Sequence, residues 1–302
     1  MISIAFLGIL FAMLSAICFA GNRSFASKPL LTSRPIVPTY IGLLVGVVVA
    51  GLVMLATGQI VDLLIVSVTI GAIFAIVGVF HFGIARQLSY ISIKNIGANE
   101  ASPIISSQVL YSLLFAVLLL NEKMTLSIAG GAGLILIGIL VLERRAGALK
   151  RRGNLTIGIV AALLTGIVYG LTPILIKYGL SIYHFFVAAT FVAYACSFAV
   201  YVVSTNPVKM VGEIKALPRL DFAYFCIAGL FSISAQLLRF GALSFAPVVL
   251  VAPILSTHPI FTVLLTRKLA REFESFQTRI LFSIALVVLG SFLVSYSSGI
   301  AG

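Results

Sequence analysis

Three arginines interrupt stretches that are otherwise almost wholly apolar: Arg23 beside Asn22, Arg86 four residues before Tyr90, and Arg239 closing the series Ser232, Gln236, Arg239. Spacings of four and seven residues place such groups on one face of a helix. An ionisable side chain inside a membrane span costs at least ~2.5 kcal/mol on insertion scales, so it faces a cavity or a partner. A guanidinium offers a planar fork of donors that suits a carboxylate or a phosphate. The pattern therefore favours an anionic or zwitterionic small molecule, with Asn22, Arg23, Arg86, Tyr90, Gln108, Tyr169, Gln236 and Arg239 as its candidate binding residues. The competing structural reading has the arginines snorkelling to lipid headgroups and the tyrosines simply packed with satisfied hydroxyls.

Imidazole titrates near neutral pH, which directs attention to the histidines. His258 directly precedes Pro259, and a proline there frees a backbone carbonyl and can open a helix towards a cavity. His81 lies well inside an apolar run and His184 near the start of another; each also reads as a hydrogen-bonded packing residue. Glu100 stands near Asn99, Ser102 and Ser106, with Lys94 six residues earlier as a neutralising partner. His258 and Glu100 are thus the candidates for coupling a proton or another cation to movement of the small molecule.

Other chemistries lack their signatures. Cys18, Cys196 and Cys226 fall in apolar runs without paired spacing, and no metal-ligand set is evident. HExxH, GxxxxGK[ST] and a TVGYG loop are all absent. The expectation is a protein that is no enzyme, holds no cofactor and has no catalytic residue.

The elements that position these groups follow from composition. Residues are 61% apolar and 9% charged, with a mean hydropathy of +1.20, far from a soluble globular domain. Runs long enough to cross ~30 Å of hydrocarbon occupy 1–22, 35–61, 63–85, 101–121, 124–142, 153–176, 178–208, 222–238, 240–266 and 280–302. The first run lacks a basic leader and reads as a retained helix rather than a cleaved signal peptide. Continuous rather than alternating apolarity excludes a β-barrel, so the spans must be helical. The expected fold is an all-α membrane protein of ten transmembrane helices.

The net charge of +12 comes from basic loops facing an anionic leaflet, and it does not call for nucleic acid. The loop holding Arg144, Arg145, Lys150, Arg151 and Arg152 is the strongest cytoplasmic signal. With ten spans it puts both termini outside. A multi-pass protein of the plasma membrane is expected, with membrane lipids and a small-molecule substrate as its partners.

Ala85, Pro103, Ile104, Ser106, Leu114, Leu119 and Glu122 recur about 150 positions later as Ala235, Pro253, Ile254, Ser256, Leu264, Leu269 and Glu272. This internal repeat divides the chain into a first copy, 1–142, a basic linker, 143–154, and a second copy, 155–302. Five spans per copy is an odd number, so the second copy must enter the membrane from the opposite side. Inverted repeats of this kind recur in secondary transporters, whose substrate sits at the midplane between the halves. Inversion further places Arg86 and Arg239 towards opposite mouths of a shared cavity.

The stretch Ile96-Gly97-Ala98-Asn99-Glu100-Ala101-Ser102-Pro103-Ile104, with its following Leu118-Leu119-Leu120-Asn121-Glu122, resembles the EamA repeat of the drug/metabolite transporter superfamily. So do Val251-Ala252-Pro253-Ile254 and Leu269-Ala270-Arg271-Glu272 in the second copy. The resemblance implies a secondary active carrier of a small metabolite that works by alternating access between its halves. A flippase for a lipid phosphate or lipid-linked substrate is the alternative, since basic residues near both mouths suit such a headgroup too. The second copy departs from the first in having Pro247, Val248 and Val251 where the first has Gly97, Ala98 and Ala101.

Overall fold

A computed structural model describes residues 4–30, 33–34, 36–64, 66–96, 104–105, 107–143, 154–258, 260–261, 265, 282, 285–290, 292–294 and 296. Among the described residues all regular structure is helical. In chain order the elements are α1 (Ile4–Leu30), α2 (Ile36–Ala56), α3 (Ile60–Leu64), α4 (Val68–Val77), a π-helical segment (Gly78–Ala85), α5 (Arg86–Ile96), α6 (Gln108–Leu120), α7 (Leu126–Glu143), α8 (Leu155–Ile182), α9 (Phe186–Ser204), α10 (Pro207–Lys215), α11 (Arg219–Phe245) and α12 (Val248–Leu255). Six stretches are long and apolar enough to span a membrane: Ile4–Ala26, Ile36–Ala56, Val68–Ser89, Leu155–Ile182, Phe186–Ser204 and Arg219–Phe245. Gln108–Leu120, Leu126–Val141 and Ala285–Val294 are shorter apolar helices. The chain is therefore a multi-pass, all-α membrane protein.

Local sequence sets the helix ends. The Asn154 side chain accepts from the backbone N–H groups of Thr156 and Ile157, capping α8. Asn206 caps α10 in the same way, with Pro207 at the first helical position, where its missing N–H costs nothing. Asn121, in the left-handed conformation at φ 53°, ends α6.

Several boundaries differ from the charge-free runs: α1 passes Arg23 to Leu30, the third span passes Arg86 to Ser89, and two more turn on charges held inside. Lys177 and Arg239 delimit runs in the sequence, but α8 continues through Lys177 to Ile182 and α11 through Arg239 to Phe245. A charge ends a helix only if it must reach water. Both of these find partners inside: Lys177 Nζ donates to the Leu243 and Ala246 carbonyls at 2.9 and 3.1 Å, and Arg239 meets His81. The break falls instead at Ala246 and Pro247, whose extended backbone separates α11 from α12.

The helices pair as a twofold inversion requires. α1 packs along α11, and its counterpart pair is α5 along α8; α12 meets α1 as α6 meets α8. Polar ties hold the first interface, with Ser15 Oγ donating to the Ala235 carbonyl at 2.7 Å and Asn22 Nδ2 to the Ala228 carbonyl at 2.8 Å. Large apolar side chains such as Phe6, Leu52 and Leu118 point outwards and are exposed, as a lipid-facing surface demands.

Candidate functional site

The π-helical segment is the local feature from which the site is built. Gly78 opens it, and a Cβ there would run into the backbone carbonyl of Ala193 on α9, so only glycine admits this approach. The wider i→i+5 turn brings residues five apart into line. His81 within the segment and Arg86 immediately after it are such a pair. Across from Gly78, Gly46 of α2 leaves the space that the Tyr194 ring fills. Tyr194 also packs on Phe82, with ring centroids 4.5 Å apart, and its hydroxyl lies 3.3 Å from Ser232 Oγ.

His81 is the centre of the cluster. It is 8% exposed, and its ring lies 4.6 Å from that of Tyr169 on α8. Its Nε2 lies 3.0 Å from Arg239 Nη1 and 3.4 Å from Gln236 Nε2, while Nδ1 lies 3.4 Å from Thr172 Oγ1. The tautomer is assigned from Thr172. Arg239 Nη1, which only donates, also lies 3.4 Å from Nδ1, so the guanidinium does not by itself choose between the ring nitrogens. Thr172 gives its own proton to the Val168 carbonyl at 2.6 Å, so its oxygen is left to accept from Nδ1–H. His81 is therefore a neutral imidazole bridging α8 and α11.

Arg239 is 4% exposed and Gln236 1%. Arg239 Nε and Gln236 Oε1 are buried without a hydrogen-bond partner among the described residues. They lie three apart on α11 and thus share a face. A donor on a fixed cation and an acceptor beside it, both unsatisfied, each cost about 1–3 kcal/mol. Arg86, half-buried, sits over the Phe82 ring at 5.9 Å. Both Arg86 and Arg239 act electrostatically on His81 and Tyr194. Both arginines thus border the cluster around His81, Arg239 at its ring and Arg86 over the neighbouring Phe82. Among the described residues the ion pair present is Arg34–Glu213 at 2.7 Å, on the exterior, so no described carboxylate neutralises Arg239.

The structure brings together Arg86, Tyr169, Gln236 and Arg239. It does not gather the remaining candidates there. Asn22 is occupied in joining α1 to α11, and Arg23 is exposed. Gln108 begins α6, half-buried beside α8. His258 is buried against Phe19 of α1, with ring centroids 6.3 Å apart. The Tyr90 side chain and Glu100 lie outside the described residues. His81 itself was visible in the sequence only as a histidine within a span; its five-residue separation from Arg86 carries no signal under α-helical periodicity. No group of three or more His, Cys, Asp or Glu among the described residues could hold a metal ion.

A second polar junction sits where the halves meet. Glu122, in the connection after α6, accepts from the N–H groups of Val248 and Val249 through its two carboxylate oxygens, each at 2.8 Å. It caps α12 from the other repeat. Burial raises its carboxyl above the usual carboxylate range, against the opposing pull of those two N–H groups and of Lys177.

The sequence profile of the EamA-like transporter family matches residues 6–144 and again 156–296. One solved structure, described only as the crystal structure of a protein, superposes with a TM-score of 0.75 at 18% identity, covering 98% of this chain and 99% of the other. That likeness establishes a shared fold. No curated protein matches the sequence.

Proposed function

Because this chain belongs to the EamA-like transporter family, we propose that it is a secondary carrier moving a small anionic or zwitterionic metabolite across the plasma membrane. Ten spanning helices, five in each inverted repeat, would rock about a site held by Arg239, Gln236, Arg86 and Tyr169. Both termini would face outwards.

The observation that supports this reading is Arg239, a buried guanidinium whose Nε has no protein acceptor among the described residues. A charge so placed needs a counter-charge, and a substrate carboxylate or phosphate supplies one. A lipid phosphate offers the same chemistry. Arg239 nevertheless sits at 4% exposure inside the helix bundle, away from the lipid-facing surface, which favours a soluble compound over a flipped lipid.

Proteoliposomes offered a metabolite extract test the reading by mass spectrometry of what accumulates inside. Acids or phosphates should be enriched by the native protein and lost from Arg239→Ala. A buried charge-assisted pair lost in this way costs about 3 kcal/mol, or ~100-fold in affinity. Equal enrichment by native and variant protein of matched yield would refute the anion site, and transfer of labelled lipid alone would favour the flippase.

A further inference from the structure

We propose that His81 takes up a proton when an anion binds Arg239, so that anion and proton occupy the site together. The inference rests on the anion site proposed above and adds the coupling to it. In the structure His81 is the acceptor that Arg239 leans on. Arg239 Nη1 lies 3.0 Å from its Nε2 and 3.4 Å from its Nδ1, and Gln236 Nε2 lies 3.4 Å from Nε2; with Nδ1–H given to Thr172, Nε2 is the nitrogen left to accept. The other charged and titratable groups near it are Arg86 on α5 and Tyr169 on α8, while Tyr194 and Tyr201 on α9 reach its neighbours Phe82 and Gly83; α4 contributes none. No carboxylate is among them. The buried ring thus sits among two cations and no described anion.

An anion changes each of these terms. It draws the Arg239 N–H groups to itself, which removes the donor from Nε2, and its charge cancels that of the guanidinium acting on the ring. Nε2 can then bind a proton from water on the open side of the carrier. The new N–H needs an acceptor, and Gln236 has one ready. Its Oε1 is buried without a partner among the described residues, and half a turn of the amide exchanges the Nε2 now facing His81 for that oxygen. Charge balances: one negative charge enters with one proton, leaving the cluster at its original net charge. Thr172 keeps its bond from Nδ1–H throughout.

The test is calorimetric binding of benzoate and of methanesulfonate to the purified full-length protein at neutral pH, in buffers of different ionisation enthalpy. Both probes are fully ionised there, so any proton taken up belongs to the protein. The expected result is uptake of about one proton per anion bound. His81→Gln keeps an acceptor facing Arg239 but cannot titrate; it should bind the probe about 10-fold or more weakly, having lost the linked proton, and take up no proton. Binding that depends on Arg239 but takes up no proton in the native protein overturns the coupling while leaving the anion site standing. Uptake that survives in His81→Gln and disappears in His258→Gln overturns it too, and places the proton at the residue singled out by its proline. Failure of either probe to bind in an Arg239-dependent way overturns the anion site and the coupling with it. The native measurement needs no variant to fold.

Discussion

Replacing Glu122 should separate the worth of an acceptor from the worth of a charge at the junction between the repeats. In the native protein its two oxygens satisfy the N–H groups of Val248 and Val249, residues 0% and 2% exposed. Pro247 precedes them, and the next two N–H groups, of Leu250 and Val251, turn back to the Pro247 carbonyl. Glu122→Ala thus orphans two buried donors at about 1–3 kcal/mol each. Glu122 itself is only half-buried, so water partly refills its place, and the lower part of that range applies: about 3 kcal/mol in all. For a chain of this size that is ~5 °C or more in melting temperature. Glu122→Gln keeps one acceptor and sheds the cost of burying a charge. It should therefore lose only about 1 kcal/mol. Thermal unfolding in detergent, followed by the monodisperse fraction, reads both. An alanine variant as stable as the native protein would refute the capping argument; a glutamine variant as damaged as alanine would show that the charge matters and the acceptor does not.

Four further outcomes follow from other contacts. Since burial holds the Glu122 carboxyl above its unfolded value, the folded state binds that proton more tightly; the resulting stability is fully present below the unfolded pKa and is lost as pH rises through the folded one. Native protein should accordingly lose melting temperature relative to Glu122→Gln across that window, and parallel curves would contradict it. Gly78→Ala should cost more than ~2 kcal/mol and reduce folded yield, because its methyl meets the Ala193 backbone, which cannot rotate aside. Arg34→Ala should change stability by less than ~1 kcal/mol, since the Arg34–Glu213 pair is 62% exposed on the arginine side. Asn22→Ala should destabilise by about 1 kcal/mol through loss of its bond to the Ala228 carbonyl, and should leave probe binding at Arg239 unchanged in calorimetry.

Much of the fold is legible because lipid leaves a helix few alternatives. Continuous apolarity gave membrane spans, and the recurrence of Pro103 and Glu122 as Pro253 and Glu272 gave the duplication. Boundaries were less legible. Lys177 and Arg239 look like span ends because charge normally seeks water, and only tertiary partners reveal that each is held inside. The site was half legible for a related reason. Gln236 and Arg239 share a face under ordinary helical periodicity. His81 and Arg86 share one only because the backbone between Gly78 and Ala85 is π-helical. Nothing in GVFHFGIA announces that turn, since it depends on how closely α9 approaches Gly78.

The same turn has a bearing on energetics. Two identical inverted halves would exchange roles when the carrier changes the side to which it opens, so the two end states would have equal free energy by symmetry alone. Here the second copy has no counterpart: α11 is α-helical throughout, and the position matching His81 at the offset of 150 is Phe231, while Ser89 matches Arg239. In a carrier of that kind the degeneracy would be lifted at the polar cluster around His81. For the carrier proposed above, the two openings would then differ in free energy even with equal solutions on both sides, and the widened turn with its histidine would be one source of that bias.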